Sequence, residues 1–300
     1  MPLAYYSRAA TEEFWSEHWA GEDVDGLIQV ARRSPLTRII EAALPADGRV
    51  LEAGCGLGAY VILMRDRGRA ALGADWSLDA LRRCRAAAPG TPVAVMDLGR
   101  LAVRAGGVDA YVSLGVVEHD PAGPAAIVAE AARALSPGGR LLLSVPYWNG
   151  VRTLGSPYLH RRARRMRDAG GEFYQFAFSR REIRGFLEPH GFRVLSFHPY
   201  DPARIVRKAF RRVASVEIPS ASAMAGREGA IAAGRSQASA IPLDGPGRPE
   251  GRSARSEPAP TASSRRSHSA ALERTLRRLA YSAVSLRLFA HMILAVAVRR

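Results

Sequence analysis

Cysteine is scarce in this sequence, since Cys55 and Cys84 are the only two among 300 residues. Two cysteines cannot form the disulfide framework of a small secreted domain, and they supply no ligand cluster with the spacing of a zinc site. We therefore expect no bound metal and a reducing, cytoplasmic location. Cys55 lies within a glycine-rich stretch, where we expect its small side chain to pack rather than to act as a nucleophile.

A leader segment and a clear membrane span are also missing. Residues 1–20 contain three glutamates and five aromatic side chains but no apolar run, so we expect no signal peptide. Residues 280–298 are mostly apolar and about as long as a span, but Arg287 and His291 lie near the middle. A central arginine costs about 3 kcal/mol on insertion, so we expect a core segment, with a membrane-associated segment as the alternative.

Lysine is nearly absent, because Lys208 is the only one and arginine supplies the remaining positive charge. Residues 1–200 carry 25 Arg and 21 Asp plus Glu, a net charge of +4. Residues 201–300 carry 18 Lys plus Arg and 7 Asp plus Glu, a net charge of +11. This Arg-rich C-terminal region can associate weakly with an anionic membrane surface. No nucleic-acid recognition motif accompanies the charge, so we do not expect a specific nucleic-acid partner.

The sequence does contain a glycine-rich turn between a strand and a helix. Arg49–Ala53 predicts a buried strand, and Gly54, Gly56 and Gly58 follow it before a helical pattern begins. The missing side chains let a ligand approach the backbone, and the helix start presents free N–H groups. The spacing also fits a dinucleotide fingerprint. Glu52, two residues before the first glycine, favours a ligand that carries an ammonium group over one that carries a pyrophosphate.

Short apolar runs alternate with helical patterns from residue 48 to 145, which predicts a doubly wound, mostly parallel α/β sheet. We expect seven strands, the last of them antiparallel. The predicted strands are Arg49–Ala53, Ala70–Asp75, Pro92–Met96, Val108–Ser113, Arg140–Val145, Gly191–Phe197 and Met292–Val298. The predicted helices between them cover about residues 58–67, 77–88, 124–135 and 179–188.

Several of these segments resemble one enzyme family. The stretch from Glu52 to Gly58 is similar to the first motif of class I S-adenosylmethionine-dependent methyltransferases. Leu114–His119 resembles the segment after the family's fourth strand, and residues 136–139 resemble the turn before its fifth strand. The resemblance spans about 100 residues in the family's order. It implies a Rossmann-like methyltransferase with S-adenosyl-L-methionine as its cofactor.

The resemblance also implies roles for residues at the strand ends. Asp75 ends the second strand 21 residues after Gly54, where a carboxylate holds ribose hydroxyls, and Trp76 packs against the adenine. Asp97 would contact the adenine amino group, with Leu98 beside the ring. The full set of implied cofactor-binding residues is Glu52, Gly54, Cys55, Gly56, Gly58, Asp75, Trp76, Asp97, Leu98, Leu114 and Gly115. A helix N-cap for Asp75 and a turn role for Asp97 stay open as alternatives.

The domain organisation follows from these assignments. Residues 1–45 predict a helical cap, rich in aromatic side chains, that either packs on the sheet edge or forms a lid. Residues 46–200 form the cofactor-binding core. Residues 215–270 are rich in Ser, Ala, Gly, Pro and Arg without periodicity, which predicts a disordered insertion. Residues 271–300 supply a helix and the final strand.

The resemblance implies methyl transfer. In this reaction the protein mainly aligns the acceptor with the methyl group and excludes water from the site. An oxygen or nitrogen acceptor can need a base, and the candidates are Glu118, His119, Tyr147 and His160. His119 is favoured by its position after the fourth strand. The alternative is that Glu118 and His119 form a structural pair that caps the turn at residues 121–124.

The absence of one motif narrows the range of possible acceptors. Enzymes that methylate nucleobase or amide nitrogens carry Asn/Asp-Pro-Pro-Tyr after the fourth strand, where this sequence has Leu114–Val117. We therefore expect a small-molecule, lipid-linked or glycan acceptor, and the arginines of residues 152–184 suit an anionic one. Two other functions stay open: an NAD(P)-dependent oxidoreductase on the same glycine loop, and a non-catalytic module that binds the cofactor.

Overall fold

The computed structural model of the chain describes residues 2–202 and 281–300. Seven strands form the central sheet: β2 (Arg49–Ala53), β3 (Ala70–Asp75), β4 (Val93–Val95), β5 (Val108–Leu114), β6 (Leu135–Pro146), β8 (Phe192–Tyr200) and β9 (Met292–Arg299). Their order is β4-β3-β2-β5-β6-β9-β8. β9 runs antiparallel to both neighbours, and the other pairings are parallel. The predicted doubly wound sheet with an antiparallel last strand is confirmed.

Helices cover both faces of this sheet. They are α1 (Glu12–Ala20), α2 (Val24–Arg33), α3 (Pro35–Ala43), α4 (Ala59–Asp66), α5 (Leu78–Ala87), α6 (Ala125–Ala134), α7 (Gly150–Leu154), α8 (Ser156–Asp168), α9 (Arg180–Leu187) and α10 (Ala283–Phe289). Successive residues of β6 alternate between two cores, as expected for a strand buried on both faces. Leu141 and Leu143 pack with α6 and α9, whereas Leu142 packs with α3 and α4.

Several helices begin at a residue with a short polar side chain, at positions where the sequence predicts a helix start. Ser179 starts α9 with a capping box, in which its Oγ accepts a hydrogen bond from Glu182 N and Glu182 Oε2 accepts one from Ser179 N at 2.9 Å. Ser77 Oγ accepts a hydrogen bond from Ala80 N at the start of α5. The side chain that caps α5 is therefore that of Ser77 and not that of Asp75.

Two predictions about local structure are wrong. The sequence predicts a helical segment around Tyr5 and Tyr6, but Leu3–Ser7 forms a strand, β1, that pairs antiparallel with β7 (Glu172–Ala177). The partner strand lies far away in the sequence, so no local pattern marks the pairing. β6 begins at Leu135 instead of Arg140, because Leu135 pairs with Val108 and the expected turn becomes an irregularity within the strand.

Three other predictions lie wholly or largely outside the described residues: the basic helical stretch at 201–213, the disordered insertion at 215–270 and the helix at 271–288. Of the last, the structure describes α10, which precedes β9. Ile293, Leu294 and Ala295 of β9 are fully buried within the sheet. Among residues 2–202 and 281–300, we find no helix that is long and apolar enough to cross a membrane.

Candidate active site

The turn between β2 and α4 is built around backbone that only glycine adopts readily. Gly54 has φ +79°, and a Cβ atom there would lie 2.4 Å from Cγ2 of Val116. The N–H groups of Gly54 and Cys55 both donate to the carbonyl oxygen of Ala74, at 2.7 and 3.0 Å. These bonds fasten the turn to β3. The result is a bare stretch of backbone at the carboxyl edge of the sheet.

A cavity of about 800 Å³ opens at this edge, which is within the usual size of a ligand site. Apolar and aromatic side chains from residues 10–34 and from four strand ends form most of its wall. The predicted site residues that line it are Glu52, Gly54, Cys55, Asp75, Trp76, Asp97, Leu98, Leu114, Gly115 and His119. Gly56, Gly58 and Glu118 lie outside the lining. The sequence-based set is therefore brought together around one space, apart from these three residues.

Asp75 holds the turn in place from the end of β3. Its Oδ2 accepts a hydrogen bond from Gly56 N at 2.7 Å, and its Oδ1 accepts one from Ser77 N at 2.9 Å. Only 6% of the residue is exposed, and this burial raises the pKa of the carboxyl group against the effect of the two backbone donors. Each carboxylate oxygen can accept more than one hydrogen bond, so both keep capacity toward the cavity.

Glu52 is a buried acid with an unsatisfied oxygen. It is 4% exposed, and within the described residues its Oε2 has no hydrogen-bond partner. Burial, together with the nearby charge of Asp75, raises the pKa of Glu52 to about 8, although a hydrogen bond from the backbone of Val61 opposes the shift. A buried carboxyl oxygen without a hydrogen-bond partner calls for an explanation. A cation in the cavity would provide one.

Asp97 and Trp76 lie at the rim. Asp97 is exposed, and its Oδ1 accepts a hydrogen bond from Gly99 N at 2.8 Å, which is the turn role weighed above. Trp76 is 45% exposed beside Asp75. Both side chains line the cavity, so the turn role of Asp97 does not remove it from the site.

His119 is held by a backbone carbonyl on the strand β7. Its Nδ1 lies 2.7 Å from Tyr174 O, and since a carbonyl only accepts, Nδ1 carries the proton. Nε2 is therefore an acceptor, 4.0 Å from Glu118 Oε1. Burial lowers the pKa of His119, and the bond to Tyr174 opposes this. The ring also meets Trp15 edge to face at 5.0 Å.

Glu118 lies behind the cavity wall. It is 1% exposed, its Oε2 has no partner among the described residues, and burial raises its pKa to about 8. The turn that follows is held by Asp120, whose Oδ1 accepts a hydrogen bond from Ala122 N at 2.8 Å. Capping of that turn therefore does not need Glu118 or His119. The other two base candidates, Tyr147 and His160, lie outside the cavity lining.

The helix α1 covers the glycine turn with two tryptophans. Trp19 lies so close that a Cβ atom on Gly56 would be 2.5 Å from its ring. Arg83 donates to the carbonyl oxygens of Trp19 and Glu22 and so ties the end of α1 to α5. Trp15 and Trp19 both line the cavity, although α1 has no buried residue.

The lining also contains residues that the sequence analysis did not assign to the site, among them the polar side chains of Tyr60 and Asp120. Tyr60 lies in the first turn of α4, directly after the glycines, and that position was the available signal. Its hydroxyl group accepts a hydrogen bond from Thr37 Oγ1 at 3.3 Å. Asp120 gave no signal beyond its place after the Glu-His pair. In the part of the chain that the structure describes, no group of three or more His, Cys, Asp or Glu side chains could hold a metal ion.

Comparisons with known sequences agree with this geometry. The sequence model of a family described as "Methyltransferase domain" matches residues 27–197, more than half of the chain. A tRNA (carboxymethyluridine(34)-5-O)-methyltransferase of Mus musculus is 32% identical over 132 residues, which are 43% of this chain and 19% of the relative. A probable S-adenosylmethionine-dependent methyltransferase of Mycolicibacterium smegmatis is 36% identical over 99 residues, 32% of this chain and 37% of the relative. The chain thus spans well under half the length of these relatives.

Solved structures share the fold. A methyltransferase of Haloferax volcanii, solved in complex with a methyltransferase activator, superposes with a TM-score of 0.54 at 16% identity, covering 95% of this chain and 97% of that one. A methyltransferase of Archaeoglobus fulgidus that depends on S-adenosylmethionine gives 0.51 at 13% identity, covering 96% and 98%. At these identities the likeness concerns the fold alone.

Proposed function

The chain belongs to the methyltransferase domain family, and we propose that it methylates an oxygen or nitrogen atom of a small-molecule, lipid-linked or glycan acceptor, with His119 as the base. It is an S-adenosylmethionine-dependent methyltransferase, and S-adenosyl-L-methionine is its cofactor. The observation that supports the proposal best is the geometry of His119, which faces the cavity with one ring nitrogen protonated by its bond to Tyr174 and the other able to accept a proton.

The residues of the cavity fit this cofactor. Its sulfonium makes the methyl group electrophilic, so the protein must mainly bind, orient and exclude water. Glu52 offers a cationic ligand a buried carboxyl oxygen, Oε2, that has no partner among the described residues, and ionisation of Glu52 becomes favourable beside a positive charge. Gly54 leaves backbone exposed to the ligand. Asp75 offers carboxylate oxygens for hydroxyl groups, and Trp76 offers a flat apolar face.

His119 is suited to accept a proton at neutral pH. Burial lowers its pKa below the ordinary value of about 6.5, so the ring is mostly neutral at pH 7. The bond to Tyr174 fixes the tautomer and the ring orientation. An acceptor hydroxyl or amine bound against Nε2 would lose its proton to His119 as the methyl group is transferred. The aromatic edges of Trp15 and Tyr174 keep water from the ring.

The cavity wall supports an organic acceptor of modest size. The wall is mostly apolar, and Trp15, Trp19 and Tyr60 contribute aromatic faces. The mouse relative is named for tRNA methylation, and an RNA acceptor is therefore the competing proposal.

An NAD(P)-dependent oxidoreductase is not favoured, and a thermal-shift comparison of S-adenosylmethionine with NAD separates the two cofactors.

The test is to incubate the protein with S-adenosylmethionine labelled in its methyl group and with cell extract, and then to identify the labelled product. We expect label in a small-molecule, lipid-linked or glycan fraction that resists ribonuclease. His119→Gln should reduce kcat at least a hundredfold and leave cofactor affinity within about twofold, since general bases typically contribute that much. His190→Gln is the matched control, because His190 Nδ1 also bonds a backbone carbonyl, Phe186 O, but lies outside the cavity lining.

Three outcomes would contradict the proposal. Label that disappears on ribonuclease treatment would make RNA the acceptor. Equal activity of the two histidine variants would remove His119 as the base. Cofactor binding without label transfer to any fraction would indicate the non-catalytic module.

We also propose that residues 1–45 act as a cap on a core formed by residues 46–200, and that the protein works in the cytoplasm. The position of Trp19 over the glycine turn supports the first point. The two free, buried cysteines support the second, because neither is used in a disulfide bond.

A further inference from the structure

The helices α7 and α8 form one nearly continuous helical surface. Gly155 joins them without interrupting the hydrogen bonding, since its N–H donates to Val151 O and its carbonyl accepts from Leu159 N, each at 2.9 Å. Residues spaced by three or four positions along this segment therefore lie on one side. On that side, which we name the α7–α8 face, lie Val151, Leu154, Tyr158, Arg161, Arg162 and Arg165.

The first half of the α7–α8 face exposes apolar side chains. Leu154 is 83% exposed, Tyr158 66% and Val151 41%. Single exposed apolar residues are common, but three on one side of a helix form a patch. Water is a poor environment for such a patch, so a contact that buries it would be favourable.

The second half of the α7–α8 face is strongly basic. α8 contains five arginines and one acid, Asp168, which pairs with Arg167 at 3.1 Å. Arg161, Arg162 and Arg165 are exposed, and no carboxylate of the described residues lies within ion-pair distance of them. Their charge is therefore available to an anionic partner.

We propose that the α7–α8 face docks on the surface of an anionic lipid membrane. Leu154, Val151 and Tyr158 enter the interface between headgroups and acyl chains, and the arginines pair with lipid phosphates. Arginine stems are apolar, so they can follow the helix into this interface while the guanidinium groups stay at the phosphates. A nucleic acid would match the arginines equally well, but it would leave Leu154 and Val151 in water. The docking surface goes beyond the proposed function, and it differs from the Arg-rich C-terminal region considered from the sequence.

The test uses the full chain and vesicles of phosphatidylcholine with about a third phosphatidylserine, in a sedimentation assay. Replacing Arg161, Arg162 and Arg165 together by Gln should weaken vesicle binding at least tenfold. The control replaces Arg38, Arg85 and Arg104 by Gln, which removes the same charge from exposed positions elsewhere. We expect the control to bind within about threefold of the native chain. Since α8 has no buried residue, the variants should keep the native melting temperature.

A second variant separates lipid from nucleic acid. Leu154→Gln keeps every charge and should weaken vesicle binding at least fivefold, since a buried leucine contributes about that factor or more. It should leave the binding of bulk tRNA in a gel-shift assay unchanged. The control is Leu78→Gln, at a leucine that lies outside the α7–α8 face and is 46% exposed. The proposal is overturned if Leu154→Gln binds vesicles like the native chain, if the control arginine variant loses as much binding as the α8 variant, or if the α8 variant loses binding to tRNA only.

Discussion

At the scale of single residues, the site is organised by carboxyl groups whose surroundings differ. Asp75 is buried with one backbone donor to each oxygen, Glu52 is buried with one oxygen unpaired among the described residues, and Asp97 is exposed. The sequence predicted all three from their positions at strand ends. It could not predict the partners of Asp75 or the raised pKa of Glu52, because both depend on how the glycine turn folds back onto β3.

Asp75→Ala should weaken the binding of S-adenosylmethionine at least tenfold, about 1.4 kcal/mol or more. The substitution removes a charged acceptor from the cavity and also frees the N–H groups of Gly56 and Ser77. Titration calorimetry measures the affinity. Asp79→Ala is the control, because Asp79 is an exposed acid four residues further on, in the first turn of α5, and its partner among the described residues is Arg82. An affinity that is unchanged by Asp75→Ala would refute the assignment of this carboxylate to the cofactor.

At the scale of elements, the sequence predicted those strands and helix starts that are determined by residues within the element or directly beside it. The glycine turn, the serine caps and the apolar run of β9 each carry their own signal, and the bounds of β2 and β3 agree with the prediction residue for residue. β1 has no such signal, because its strand form depends on pairing with β7. His119 is oriented by that same pair of strands through Tyr174. The part of the site that the sequence could not reveal therefore comes from a contact between distant segments.

Leu294→Ala in β9 should lower the free energy of unfolding by about 2–5 kcal/mol. Leu294 is fully buried and pairs with strand residues on both sides, so the substitution leaves a cavity inside the sheet. Denaturant unfolding measures the change.

The control is Leu195→Ala in the neighbouring strand β8, where the side chain is 39% exposed and the loss should be about 1 kcal/mol or less. Equal losses at the two positions would mean that β9 is not a central strand in solution.

At the scale of the whole molecule, the fold follows from the alternation of apolar runs and helical patterns, which the sequence displays clearly. The two cores on opposite faces of the sheet require strands that are apolar on both sides, and β6 and β9 have this composition. That pattern does not identify the acceptor, because side chains that line the cavity, such as Trp15 and Trp19, come from a segment outside the alternating pattern.

Stability of the ligand-free protein should fall as pH rises from about 7 to 8. The folded-state pKa values of Glu52 and Glu118 are raised to about 8, so the folded protein holds protons that the unfolded chain has already lost above its ordinary value near 4.5. The unfolded state then binds fewer protons, and the linkage relation gives lower stability at higher pH. The pKa values of His119 and His198 are lowered, so these residues make stability rise with pH, mainly below pH 6.5. They therefore contribute little to the change in stability between pH 7 and 8.

The melting temperature measures this effect, and we expect a fall on the order of 5 °C across the window. Glu52→Gln should make the fall smaller, whereas Glu13→Gln, at an exposed position in α1, should leave it unchanged. A melting temperature that does not fall between pH 7 and 8 would mean that the two buried acids are already ionised in the folded protein.

The place of β9 in the sheet has a consequence for biosynthesis. β8 ends at residue 200, and among the described strands its ladder partner is β9, which begins at residue 292. Until β9 has been synthesised, β8 lacks its strand partner and β6 presents an open edge. The sheet can therefore be completed only after residues 292–299 have been made and have inserted between two strands that were synthesised about 90 or more residues earlier.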